Sequence, residues 1–298
     1  MSLVPTPEID LTGRLAIVVL THNRRQRVLE TLSRLSRLPE RCRIWVVDNG
    51  STDGTPAALA QRFPHVGLVR LSRNLGAAGR NAGVRAAGTP YVAFCDDDTW
   101  WAPGALSGAA SLLDRCPRVA VLSARVLVGP GEREDPTCRA MAGSPLHQPG
   151  LPGPLLLGFL AGACVVRTQA FLAVGGYHQR MFLGAEEALV ALDLAVEGWS
   201  VVYVQALHAH HHPAPRADSA RRACRLARNA LWIAWMRRPL RSALRETLSV
   251  LRGCGGMRHA VAAASAALAG LPWVLRERRT LPPRVERMRQ AVDGPESS

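Results

Sequence analysis

Four short, mostly apolar runs, each ending at a cluster of polar residues, constrain this chain more than any other feature. They are Leu15–Leu20, Arg43–Asp48, Val66–Leu71 and Pro90–Cys95, and the stretches between them, Arg24–Leu38, Thr55–Arg62 and Ala77–Ala87, carry helical periodicity. Strands that are apolar throughout, rather than on alternate residues, belong in a parallel sheet covered on both faces. The order β-α-β-α-β-α-β builds such a sheet. Its ligands bind beyond the carboxyl ends of the strands. The polar clusters fall there: His22-Asn23, Asp48-Asn49, Arg73-Asn74 and Asp96-Asp97-Asp98.

Farther along, the pattern predicts a helix near Gly104–Arg115 and a strand over Val119–Val128. Gly129–Pro154, rich in Gly, Pro and charge, reads as a long loop. An apolar stretch, Leu155–Val166, precedes a helix near Ala185–Glu197 and a strand at Ser200–Val204. From Asp218 the pattern is helical, broken near Pro239, Gly253–Gly256 and Pro272, and the last fifteen or so residues, with adjacent prolines, read as frayed. The expected organisation is an N-terminal arm (1–14), an α/β domain (15–213) and a helical C-terminal region (214–298).

The net charge of +14 over 298 residues is carried by arginine alone, since there is no lysine. That bias reads as GC-rich, bacterial coding rather than as ligand chemistry at every arginine. The charge is unevenly placed. From Pro213 onward 17 arginines face 6 acidic residues, a net of +11, which leaves +3 for the α/β domain. The domain is therefore nearly neutral and the tail basic. Seven scattered cysteines, never in a CxxC pair, fit reduced thiols. Glu8 and Asp10 precede the first apolar run, and no basic n-region leads into it, so no signal peptide is expected and the location reads as cytoplasmic.

The sharpest chemical signal is Phe94-Cys95-Asp96-Asp97-Asp98 at a strand end. Carboxylates at i and i+2 on a turn can converge on one hard divalent cation, whose shell phosphate oxygens complete. Such an ion neutralises charge building on a diphosphate leaving group. An acidic helix cap before Pro103-Gly104-Ala105 is the plainer alternative. In Val46-Val47-Asp48-Asn49-Gly50-Ser51-Thr52-Asp53-Gly54, Asp48 is placed to accept hydrogen bonds from a nucleoside, whereas Ser51–Gly54 reads as turn chemistry. Arg73, Asn74, Arg80 and Asn81 lie where a helix N-terminus points at an anion, although a generic surface role fits Arg80 equally. Trp100 and Trp101 suit a sugar face or simple packing.

Together these segments resemble family 2 glycosyltransferases, from about Leu15 to His212. The resemblance is carried by Val18-Val-Leu-Thr-His-Asn-Arg24, Val47-Asp-Asn-Gly-Ser-Thr-Asp-Gly-Thr55, Arg73-Asn-Leu-Gly-Ala-Ala-Gly-Arg-Asn-Ala-Gly83 and Val92-Ala-Phe-Cys-Asp-Asp-Asp98. It implies a GT-A fold, a mostly parallel sheet flanked by helices, here with a basic α-helical appendage. The nucleotide-sugar half would span about 15–100 and the acceptor half about 101–213. The implied reaction moves a sugar, with inversion, from a nucleotide diphosphate donor (UDP- or dTDP-linked favoured) to a hydroxyl of an envelope glycan, a lipid-linked or a small-molecule acceptor.

The implied donor-binding set is Thr21, Asn23, Arg24, Asp48, Asn74, Arg80, Asn81, Asp96 and Asp97. Asp98, Asp96 and a histidine of His210-His211-His212, with His211 favoured by strand alignment, would hold Mg²⁺ or Mn²⁺. The remaining histidines read as solvated loop residues. Inversion by single displacement needs a base on the acceptor side. Gly175-Gly176-Tyr177 followed by Phe182-Leu183-Gly184-Ala185-Glu186-Glu187 matches the family's acidic pair, with Glu187 the base and Glu186 its orienting partner. Acidic residues favoured by a helix dipole are the structural alternative. The family's Asp two residues on is Leu189 here, and its basic residue deeper in the helix is Asp193.

Ser219–Arg252 mixes arginines with Leu226, Leu231, Trp232, Ile233, Trp235, Met236, Leu240 and Leu244. It reads as a helical appendage packed on the domain, as a peripheral membrane contact or as an oligomer contact, and the oligomeric state is left open. Ala260–Leu275, about sixteen residues interrupted by Gly270 and Pro272, is short for a membrane span. Two other functions compete. A nucleotidyltransferase places a Gly-rich phosphate loop after its first strand, and Leu20-Thr-His-Asn-Arg24 has no glycine. A non-catalytic nucleic-acid or lipid-surface binder explains the arginines but not the ordered carboxylates, so no nucleic-acid partner is expected.

Overall fold

The central strands form because valine, isoleucine and leucine at consecutive positions suit a pleated surface buried on both sides. A computed structural model describes residues 8–213 and 219–294. Residues 1–7 of the expected arm, Asp218 at the expected helical start and the terminal 295–298 lie outside them. Strands β1 (Leu15–Thr21), β2 (Arg43–Asp48), β3 (Gly67–Arg70) and β4 (Tyr91–Asp96) are parallel neighbours in the order β3-β2-β1-β4. Helices α1 (Arg25–Leu35), α2 (Thr55–Arg62) and α3 (Arg80–Ala87) connect them, as the sequence pattern predicts. The order reverses at β1, so the crevice between the ends of β1 and β4 is the switch point where ligands of such sheets bind.

The sheet continues through β5 (Thr99–Trp101), β6 (Val119–Val128), β7 (Cys164–Arg167) and β8 (Ser200–His211) in the order β4-β7-β6-β8-β5. Strand β7 runs antiparallel to both neighbours, β6 and β8 are parallel, and β5 is antiparallel to β8. Arg133–Glu134 adds a short edge to β6, and Ile9–Asp10 pairs with Glu40–Arg41 in a separate two-stranded sheet. Outside the sheet lie α4 (Ala105–Arg115), α5 (Pro136–Ala142), α6 (Thr168–Ala173) and α7 (Glu186–Val196). The result is the expected mixed α/β architecture with a helical C-terminal region.

Packing explains the close fit of the nucleotide half. Val18, Val19, Val46, Val47, Val92 and Phe94 are fully buried. Helix α1 buries Val28, Leu29, Leu32 and Leu35 on one face, so Leu32→Ala would cost about 2–5 kcal/mol. A Cβ on Gly83 of α3 would lie 2.5 Å from Val18 and 2.7 Å from Val47. Only glycine lets that helix settle on the sheet.

Three sequence expectations change. The stretch 129–154 is not one loop: α5 begins there, with Asp135 capping Thr137 N at 2.8 Å. Strand β8 does not stop at Val204. A register shift between Val204 and His208 lets it continue beside β6 and take β5 as a further partner, so His208–His211 lie on a strand rather than in a solvated loop. The C-terminal residues up to Asp293 are not frayed. Pro283 opens a helix, a position where its missing N–H costs nothing.

The C-terminal region comprises α8 (Ser219–Arg237), α9 (Leu240–Gly253), α10 (Met257–Ala269), α11 (Leu271–Arg276) and α12 (Pro283–Asp293). Helices α9, α10 and α11 pack on α8, while α12 reaches back to α7. Buried Arg238 joins Glu246 at 2.7 Å, Glu286 at 3.0 Å and Asp293 at 2.8 Å, which fastens α12 to α9. Asp193 of α7 takes both ends of the Arg237 fork at 2.5 and 2.9 Å. Leu189 is core. Among the described residues no helix is long and apolar enough to cross a membrane.

Candidate active site

At the crevice, the ends of β1 and β4 are pinned by one arginine. Arg24 donates from Nη1 to Asp97 Oδ1 at 3.0 Å and Asp98 Oδ2 at 2.9 Å. Thr21 Oγ1 donates to Asp97 Oδ2 at 3.0 Å, and Thr31 of α1 donates to the Asp97 carbonyl at 2.8 Å. Asp97 is thus a buried strut beneath the site, and burial pushes its carboxyl up to about 7 against the pull of Arg24. Asp98 Oδ1 lies 3.4 Å from His211 Nε2. Burial raises the Asp98 carboxyl, but the hydrogen bond and charge of His211, with Arg24, outweigh it and leave it below its ordinary value. The same contact raises His211. The β8–β5 pairing brings His211 opposite Thr99, and His212 N bonds to the Asp98 carbonyl at 2.9 Å.

Asp96 faces elsewhere. It pairs with Arg80, whose side chain is buried and passes near the Phe94 and Tyr177 rings. The surface alternative for Arg80 therefore falls. A Cβ on Gly162 would collide with the Asp96 carboxylate, so backbone closes that side. The Arg80 guanidinium also feels Glu186. Glu186 and Glu187 occupy the first turn of α7, Glu186 buried and Glu187 half-buried. Burial raises both carboxyls, and for Glu187 the Glu186 charge adds to it. Two adjacent carboxyls in a dry site favour holding one proton between them. Glu186 Oε2, Arg80 Nε and Tyr177 Oη are buried without hydrogen-bond partners. Unsatisfied groups of this kind call for a ligand or water.

The segment leading into the acidic pair is held from outside. Phe182 and Ala185 adopt φ of +64°, a region that non-glycine residues rarely occupy. Ala77 N donates to the Phe182 carbonyl at 2.7 Å, and a Cβ on Gly76 would strike that carbonyl. On the other side, fully buried Asn229 of α8 donates from Nδ2 to the carbonyls of Met181 at 2.9 Å and Gly184 at 2.5 Å. Arg228 reaches the Met181 carbonyl at 3.2 Å.

Asp98 and His211 fit a hard or borderline divalent ion: one carboxylate oxygen and one imidazole nitrogen face each other. Among the described residues no three His, Cys, Asp or Glu side chains gather closely enough to hold an ion alone. Asp96, expected beside Asp98 as a ligand, is turned to Arg80 instead.

Of the expected donor residues, Asp48 is buried and accepts from Ser51 N at 3.2 Å. Asn23 adopts φ +52° and accepts from Thr52 N at 2.7 Å, which joins the first two strand-end loops. Asn74 accepts from Gly76 N at 2.8 Å and from Asn49 Nδ2 at 2.9 Å. Asn81 spends both ends of its amide on the Tyr177 backbone, at 2.8 and 2.9 Å. Ser51–Gly54 is turn and cap structure: Asp53 accepts from Thr55 N at 3.1 Å. Trp101 is core, and Trp100 packs between Arg34 and the rings of His210 and His212. Thr31, Gly162 and Asn229 carry no sequence signal of their roles. Gly76, inside the Arg73–Gly83 motif, did carry one.

The model of the glycosyl transferase family 2 matches residues 16–174. An N-acetylglucosaminyl-diphospho-decaprenol L-rhamnosyltransferase of Mycobacterium tuberculosis is 30% identical over 284 residues, 80% of this chain and 92% of that protein. A mannosyltransferase from Pyrobaculum calidifontis, solved with GDP-Man and Mn²⁺, superposes with a TM-score of 0.57 at 18% identity, over 94% of this chain and 86% of that one. TarS of S. aureus with UDP-GlcNAc gives 0.58 at 17%, over 92% and 83%. Motifs, fold and relatives agree: the chain is a glycosyltransferase and belongs to glycosyl transferase family 2.

Proposed function

We propose that this enzyme moves a sugar, with L-rhamnose favoured, from a UDP- or dTDP-linked donor to a hydroxyl of a lipid-diphosphate-linked acceptor, inverting the anomeric centre. The sugar and acceptor follow the mycobacterial relative, which the chain spans almost completely. The observation that carries the mechanism is the Asp98–His211 pair on one side and, on the other, the acidic pair of buried Glu186 and half-buried Glu187 following a strained loop, with Arg80 held between Asp96 and Glu186.

Asp98 and His211 would hold Mg²⁺ or Mn²⁺, which when bound offsets charge on the diphosphate leaving group. Asp48 and the Asn23 loop line the nucleoside end. Arg80 holds Asp96 in place and presents positive charge toward the departing phosphates. Glu187, once ionised, accepts the proton of the acceptor hydroxyl as its oxygen attacks the anomeric carbon, and Glu186 beside it orients that carboxylate. A base raised above the ordinary carboxylate range is suited to taking a proton near neutral pH.

Calorimetry with UDP-, dTDP- and GDP-sugars, with and without Mn²⁺, tests the donor site on wild type and Asp98→Ala. Metal-dependent binding of one nucleotide class, lost in the variant, is expected. Binding that ignores both metal and Asp98 would overturn the assignment.

A further inference from the structure

The large apolar side chains exposed on this protein are not scattered. Among the described residues twelve reach the surface, and seven of them fall between positions 240 and 275: Leu240, Leu244, Leu248, Met257, Val261, Leu268 and Leu275. Leu240, Leu244 and Leu248 repeat every four residues along α9, which places them in one outward stripe. Met257, Val261 and Leu268 make a second stripe on α10 at spacings of four and seven. Both helices cover α8, so both stripes face away from the catalytic domain. A soluble monomer seldom gathers that much exposed apolar surface without a partner.

The charge around the stripes has one sign. Arg241, Arg245, Arg252 and Arg258 are exposed on the same two helices. The acidic side chain of α9, Glu246, and Glu277 just after α11 are already engaged, by Arg238 with Arg289 and by His178. Leucine stripes bordered by arginine, on helices that lie along a surface, match the chemistry of an anionic bilayer: acyl chains for the leucines, headgroup phosphates for the guanidiniums. A protein partner would need mixed polar contacts at its rim, and among the described residues none of the exposed charges on these two helices is acidic.

A groove of about 470 Å³ opens between α8, the end of α9 and the start of α10, lined by Ala223, Cys224, Ala227, Val250 and Cys254. It lies on the same segment of α8 whose Leu226 packs against Gly184, in the loop that carries the acidic pair. One helix width, about 10 Å, separates the two faces of that segment.

We infer that the outward face of α9 and α10 seats the enzyme on an anionic lipid bilayer and so holds the catalytic domain beside the membrane, with α8 between that face and the acidic pair. The inference deepens the lipid-linked acceptor reading and rests on it for why such seating serves the reaction; lipid binding itself requires no transfer. Co-sedimentation of the full chain with phosphatidylcholine vesicles, with and without phosphatidylglycerol, is the test. Wild type should partition to the anionic vesicles and be released by salt. Leu244→Ser/Leu248→Ser and, separately, Met257→Ser/Val261→Ser should each weaken partitioning roughly tenfold, with unchanged unfolding temperature and unchanged turnover of a short-chain, water-soluble acceptor. Failure of wild type to bind anionic vesicles, or undiminished binding by both variants, overturns the proposal. A wild-type dimer in analytical ultracentrifugation that the variants split also overturns it and makes the face a self-association surface. Vesicle binding without any glycosyl transfer would retain this proposal and reject the acceptor reading.

Discussion

The strand-end crevice and the C-terminal helices use polar and apolar groups in opposite ways. In the crevice, Thr21, Arg24, Asp97, Asp98 and His211 point inward and bond to one another. On α9 and α10, leucines point outward with arginines around them. The first region is built to hold small charged groups in fixed positions, the second to meet something broad and unpatterned. Yet the second also reaches into the first: Asn229, Arg237 and Arg238 are buried and bonded like residues of the crevice. The lesson is that the C-terminal helices divide two tasks: α8 is structural toward the loop before the acidic pair, and α9 and α10 turn their leucines to the outside.

Several substitutions would break or sharpen that contrast. The largest effect is expected from Glu187→Gln, which should lower kcat by about 10²–10⁴-fold with the fold intact by circular dichroism; near-wild-type turnover would remove Glu187 as the base. Arg238→Ala strands Glu246, Glu286 and Asp293 without their shared cation, and should cost about 3–5 kcal/mol in denaturant unfolding. If it costs nothing, the helical region is not organised around that network.

Asn229→Ala leaves the Gly184 carbonyl without its buried donor and the Met181 carbonyl with Arg228 alone. It should cost about 1–3 kcal/mol and lower kcat more than it raises KM, because it loosens the acidic pair rather than the donor site. Equal losses in Asn229→Ala at the donor and at the base would mean that the clamp is merely structural. The smallest effect is a shift in pH dependence. Burial, and then the Glu186 charge, hold the Glu187 carboxyl above its ordinary value, so Glu187 loses its proton late as pH rises and the acidic limb of kcat/KM lies high. Glu186→Gln removes the repulsion and should move that limb to lower pH. A limb that stays in place would uncouple the two carboxyls.

The nucleotide half was legible in the sequence because its signals are local: valine runs announce β1, β2 and β4, and each polar cluster follows its own strand. What stayed hidden depends on distant chain. Strand β8 continues past Val204 because His208–His211 pair again with β6 and Ala209–His211 with β5, a hundred residues earlier in the chain. Asn229 contacts carbonyls 45 and 48 residues upstream, and an asparagine in an arginine-rich helix carries no mark of that. The adjacent prolines before α12 look like a stop, but a proline that cannot continue a helix can still begin one. Asp96 and Asp98 share a motif and part company in space because Arg80 claims the first.

The Asp193–Arg237 fork has a consequence for anyone dividing this protein into parts. Sequence similarity to the family model ends at residue 174, and the α/β domain ends on sequence grounds near 213, which invites a shortened version stopping there. Such a version would keep α7 but strip Asp193 of its counter-charge and the catalytic loop of its outer wall. The cation that answers Asp193, Arg237, sits beyond the apparent boundary. A version that keeps those contacts therefore includes the helices that look like its tail.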